Sequence, residues 1–238
     1  MATKVAGELY YELDWQLFEI KRQLRQLNGY PFDPNLLKVA LQSAIEGIFG
    51  DANAPEVISA KPIPSFSIIA TTHLDALDEK KTAECFPKPR YAYRDNNFDN
   101  WLPAYQPKTD KCTIIATLEF NQNWSFVEAA RALPDAPKTN DAVVLGNWLI
   151  ERGYIMTATQ SEEMVDKTEN GVETKMRTDG YGNFFFVETG NPDNPVSVGG
   201  VGRDERDLFA FVNRLDFDYR WNADHRLLVR NLKDASKL

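Results

Sequence analysis

Apart from its carboxylates, the chain offers few side chains for acid–base, nucleophilic or metal chemistry: 238 residues hold 2 His, 2 Cys and 35 Asp+Glu. His73-Leu74-Asp75 puts an imidazole and a carboxylate on one side of a strand, but two ligands fall short of a metal site. Neither His73 nor His225 forms the helical His–Glu pair of a zinc peptidase. Gly199-Gly200-Val201-Gly202 lacks the lysine and the following helix of a phosphate loop, so it reads as a turn or a close backbone approach. No Gly-x-Ser-x-Gly elbow is present, and neither cysteine stands in a setting that lowers a thiol pKa. Cys85 and Cys112 can form at most one bridge, and Cys112, opening a strand, reads as a small buried hydrophobe. No spacing selects a carboxylate pair. Asn123-Trp124-Ser125 reads as a capped helix start rather than a glycosylation site. Lys21, Arg22 and Arg25 read as a solvated helix face. The expectation is no catalytic residue, no metal and no cofactor.

The net charge of −8 and pI near 4.9 argue against a surface built to neutralise phosphates, so nucleic acid is not an expected partner. Apolar runs such as Cys112 to Ala116 are far too short for a bilayer span, and no apolar signal segment opens the chain. The expected location is cytoplasmic, with surface display by another route left open.

The elements that must position any site can be read from periodicity. Leu9, Leu13, Leu17, Ile20, Leu24 and Leu27 recur at helical spacing from Gly7 to Leu27. Asn28-Gly29 and Asp33-Pro34 then supply a stop and a start for a second arm carrying Leu37, Ala40, Leu41, Ala44, Ile45 and Ile48. Residues 51–106 read as a Pro-rich, irregular connection with one strand-like run from Phe66 to Thr71. A strand from Thr113 to Phe120 follows a boundary at Lys108 to Lys111. Two helices come next, one through Phe126, Ala129, Ala130 and Leu133, the other through Val144, Leu145, Trp148 and Leu149, capped by Asn140 and stopped by Gly153. Strands are expected at Thr174 to Thr178, Asn183 to Glu188, Val196 to Val201 and Arg226 to Arg230, which makes the class α+β.

One segment stands out. Five of the fifteen residues from Asp207 to Trp221 are aromatic and interleave with Asp, Asn and Arg. Stiff rings among small polar side chains suit an adaptable binding surface. The competing reading is a pair of core strands with inward rings, which accounts well for Val212 and Leu215. Residues 203–238 carry 8 basic and 7 acidic side chains, a near-neutral stretch on an acidic body.

With the Gly199-Gly200 turn, the aromatic-polar stretch to His225 and the closing strand Arg226-Leu227-Leu228-Val229-Arg230-Asn231, the sequence resembles the variable proteins of diversity-generating retroelements. The resemblance covers roughly Asp110 to Asn231. It implies a C-type-lectin-like (formylglycine-generating-enzyme-like) domain at 110–238, with a variable region at about 203–231. A helical hairpin and irregular N-terminal region would occupy 1–109. It further implies a non-enzymatic binder whose target contacts are Asp207, Leu208, Phe209, Phe211, Asn213, Phe217, Tyr219, Asn222, Asp224 and His225. Val212, Leu215, Trp221 and Leu227 to Val229 would be the fixed scaffold. The chain departs from the family in closing on Leu-Leu-Val-Arg rather than a Gly-Phe-Arg type strand. A protein target is expected over a sugar, because no Glu-Pro-Asn or Gln-Pro-Asp calcium motif is present and Asn191-Pro192-Asp193 reads as a turn. The alternative is an enzyme or cofactor-binding protein on a formylglycine-generating-enzyme-like fold, working through reactive cysteines.

Overall fold

A computed structural model describes residues 15–22, 63–204 and 207–232. The chain divides into two compact units, Met1–Lys61 and Pro62–Leu238. In the first, residues 15–22 are helical; the remainder of the expected hairpin, including the arm from Leu37 to Ile48, lies outside the described residues. Periodicity misjudged which side of this helix is covered: Leu17 is exposed, whereas Glu19 and Arg22 are buried. The two charges sit one helical turn apart, and the guanidinium donates to both carboxylate oxygens at 2.8 and 2.7 Å, which makes their burial tolerable.

The second unit is a mixed α+β structure around a seven-stranded sheet. Its strands are β1 (Phe66–Leu74), β3 (Tyr91–Arg94), β5 (Thr113–Phe120), β6 (Asn183–Asn191), β7 (Asn194–Asp204), β8 (Asp207–Arg214) and β9 (Arg226–Arg230). β2 (Lys80–Lys81) and β4 (Tyr105–Gln106) form a separate ribbon. The sheet order is β1-β5-β9-β6-β7-β8-β3, with β6–β9 and β3–β8 parallel and the other pairs antiparallel. Four helices accompany these strands: α1 (Asn97–Trp101), α2 (Phe126–Ala132), α3 (Ala142–Glu151) and α4 (Ala158–Glu169).

Several expectations from sequence are corrected here. Within the stretch read as an irregular connection, the strand-like run from Phe66 forms β1 as expected, but Tyr91–Arg94 adds β3; the two are the edges of the sheet, and the compact units divide between Lys61 and Pro62 rather than at residue 109. Thr174 to Thr178 is not a strand. α3 is capped by Asp141, whose carboxylate accepts from the amides of Val143 and Val144, and not by Asn140. α4 has no counterpart in the sequence reading, because its residues are polar and no apolar stripe announces it.

α4 is held from both sides. One side packs Met164 and Val165 into the core with Phe185, Val187, Val201, Ala210, Val212 and Leu228. On the other, the 80–106 segment wraps its start: Gln106 Oε1 accepts from the Ala158 amide at 2.8 Å, and Glu162 accepts from Lys80 Nζ and the Phe86 amide, each at 2.7 Å. The buried start of this polar helix is thus held by hydrogen bonds and one ion pair as well as by its apolar face. Thr157 and Gln160 complete a capping box at its N-terminus.

The opposite face of the sheet carries an aromatic cluster. Phe184 lies within 4.4–5.7 Å of the rings of Trp124, Phe126, Phe211, Trp221 and His225. Ser125 starts α2 with a capping box to Glu128, as the sequence suggested, and so sets Phe126 against Phe184.

Gly199 and Gly200 do not form a turn. They lie mid-strand in β7, paired with Phe185 and Phe184 of β6 on one side and with Val212 and Phe211 of β8 on the other. A Cβ placed on Gly199, Gly200 or Gly202 would stand 2.3, 2.2 or 2.3 Å from the ring tip of Phe185, Phe211 or Phe209 respectively. The glycines are the floor on which neighbouring phenylalanine rings lie, which is the close approach that glycine alone permits in a strand.

Candidate functional site

After β8 the chain runs without regular structure from Leu215 to His225, then enters β9 at Arg226. Four side chains pin this loop inward: Leu215 is 0%, Phe217 7%, Trp221 1% and His225 2% exposed. The backbone of Trp221 exchanges hydrogen bonds with Trp124 at 2.8 and 2.7 Å, an isolated bridge that anchors mid-loop. Between the anchors, Asp216, Asp218 and Asp224 are exposed, and Tyr219, Arg220 and Asn222 are half-buried.

This alternation divides the ten residues expected to contact a target. Asp207 and Asp224 are exposed, and Asn213, Tyr219 and Asn222 are half-buried. Leu208, Phe209, Phe211, Phe217 and His225 are buried and do not present a surface. For Phe209 and Phe211 the reason is the glycine floor of β7, which draws both rings onto the sheet. Asp207 and Leu208 sit at the far end of β8, and Asn213 lies within that strand with its side-chain amide nitrogen buried, so the expected contacts that the loop itself carries at the surface are Tyr219, Asn222 and Asp224. Asp216 and Asp218 belong with them, although the sequence reading did not select them; the period-two alternation with Leu215 and Phe217 was the signal available. The expected scaffold residues Val212, Leu215, Trp221, Leu227, Leu228 and Val229 are all buried.

A second loop, residues 177–183, clasps the end of this one. Gly182 donates its amide to His225 Nδ1 at 2.9 Å and accepts from the Arg226 amide at 3.1 Å. With Nδ1 accepting, the imidazole is neutral and carries its proton on Nε2. Arg226 reaches back to the carbonyls of Ala223, Asp224 and His225 and pairs with Glu119 at 2.7 Å. Burial pulls its guanidinium below the ordinary arginine value despite that carboxylate. Asn183 fixes the second loop by bonds in both directions with the Arg177 backbone, at 2.7 and 2.9 Å. Arg177 stands 4.6 Å over the Tyr181 ring, pairs with Asp179 at 2.6 Å and lies 3.6 Å from Asp224.

The cysteines stand elsewhere. Cys112 is exposed, with φ 58°, because a turn precedes β5, contrary to the buried position expected. Cys85 is fully buried and donates to the Lys81 carbonyl at 3.6 Å. Burial, reinforced by Glu162, pushes its thiol up to about 12, which holds it neutral and unreactive at ordinary pH.

Among the described residues, no group of three or more His, Cys, Asp and Glu side chains could hold a metal ion, and no helix is long and apolar enough to cross a membrane. No family model, no curated protein and no solved structure matches the chain.

Proposed function

We propose that this is a non-enzymatic target-binding protein. It recognises its partner through the outward residues of the pinned loop, Asp216, Asp218, Tyr219, Asn222 and Asp224, with the neighbouring 177–183 loop. The observation that carries this reading is the alternation itself: buried anchors at Leu215, Phe217, Trp221 and His225 hold intervening side chains in fixed outward positions. Replacing those side chains leaves the core untouched, so the surface can change at small cost in stability.

On this reading the scaffold is C-type-lectin-like, and the loop is diversified as in the variable proteins of diversity-generating retroelements. The order strand, two helices, then further strands from β5 to β9 supports that assignment. The presence of α4 between the helices and β6, and the entry of β1 and β3 into the same sheet, are additions to it.

The gene tests the diversification directly. An adenine-rich near-copy of the segment encoding residues 207–225, beside a reverse-transcriptase gene, is expected. Its mismatched adenines should fall on the codons of outward residues such as Tyr219, Asn222 and Asp224. Absence of any such copy, or mismatches confined to the codons of Phe209, Phe211 and Phe217, would overturn it.

A further inference from the structure

The charges around the loop carry a preference of their own. Near-neutrality of residues 203–238 does not extend to the folded surface, because neighbouring elements add carboxylates to it. Arg214 pairs with Asp216, Arg220 with Glu128, Arg226 with Glu119, and Arg177 with Asp179 and Asp224. Four arginines thus meet five carboxylates within the pairs. Asp218 is exposed and, among the described residues, has no cationic partner. Among the described residues, the four arginines of these pairs are already committed, and the surplus is negative.

The same face shows how it holds a cation. The Arg177 guanidinium is seated between the Tyr181 ring at 4.6 Å and the carboxylates of Asp179 and Asp224. A planar cation satisfied by ring and carboxylate together is a favourable arrangement at a partly desolvated surface. In the loop, Asp218 adjoins the half-buried Tyr219, whose ring packs on Trp221 at 4.7 Å and is held in place by it. The residue types match those around Arg177, with no arginine supplied by the chain at Asp218.

We infer that the loop surface takes a basic, arginine-bearing peptide segment of a partner protein, one guanidinium pairing with Asp218 beside Tyr219. This rests on the reading of the loop as the recognition surface and names the chemistry of its partner. Charge complementarity supplies orientation and association rate, while the fixed rings supply contact area.

The test is a titration of the full chain with twelve-residue peptides of matched length carrying +4, 0 or −4 charge, followed by backbone amide shifts. The +4 arginine peptide is expected to move the amides of residues 215–225 and 177–183. Asp218→Asn should weaken it about fivefold, from the loss of one exposed charge contact. Asp78→Asn, the same charge change at a side chain 98% exposed elsewhere, should leave binding within twofold. Equal weakening by both variants would mean attraction to net charge alone and would overturn the inference. Preference for the neutral or acidic peptide at the same amides would overturn the inference and leave the recognition surface standing. Absence of loop shifts with every peptide would overturn both.

Discussion

Gly200→Val is expected to leave the protein largely unfolded at room temperature, and Gly200→Ala to cost about 3 kcal/mol in urea denaturation. The residue lies in the middle of β7, where a Cβ would stand 2.2 Å from Phe211 Cζ and 2.4 Å from Cε2. Neither the central strand nor a ring packed at 5.7 Å against Phe184 can move aside cheaply. The ring must therefore leave its site and forfeit its burial, worth roughly 2–3 kcal/mol, or strain the sheet by as much. Phe211→Ala separates this account from a general intolerance of the strand. In that background Gly200→Ala should cost under about 0.5 kcal/mol, because the obstructing ring is gone. Additive losses would show that the glycine is needed for some other reason.

Trp221→Ala is the second large effect, a loss of about 3–5 kcal/mol. The indole is 1% exposed and lies between 4.4 and 5.6 Å from Phe126, Phe184, Tyr219 and His225. Its removal opens a cavity where α2, β6 and the loop meet. It also frees the backbone bridge to Trp124 that fixes the loop's midpoint. Asp218→Ala, three residues away and exposed, should stay within about 0.5 kcal/mol of the parent. Thermal or chemical denaturation of the two variants side by side measures the difference. Comparable losses would mean that the loop is uniformly structural.

The sequence revealed most of the central strands and two of the helices between them, because β5, β6 and β7 are rich in β-branched or aromatic residues, β9 is a short apolar run, and α2 and α3 carry apolar residues at helical spacing. It did not reveal α4, whose burial is achieved through Gln106, Lys80 and the Phe86 amide, all distant in the chain. The capping box Thr157–Gln160 was the one local sign of it. Periodicity also cannot show that Arg22 is buried, since that depends on a fork-to-fork partner at Glu19.

The candidate site was legible in place but not in membership. Aromatic residues interleaved with Asp and Asn marked the right segment, yet the rings were taken for contact residues when their function is to pin the loop. Composition treats Phe209 and Tyr219 alike. What separates them is the glycine at position 202, across the strand pair from Phe209 and with no counterpart beside Tyr219. Glycine opposite phenylalanine in adjacent strands is a pairing signal, and it becomes readable only once the register is known.

The central claim is that the outward loop residues recognise and the inward ones support, and a pair of displayed libraries tests it most directly. One library randomises Asp216, Asp218, Tyr219, Asn222 and Asp224; the other randomises Phe209, Phe211, Phe217, Trp221 and His225. The first is predicted to retain folded display and to yield binders to unrelated protein targets, while the second loses folded display. Loss of folding in the first library, or target binders arising from the second with folding intact, would contradict the account.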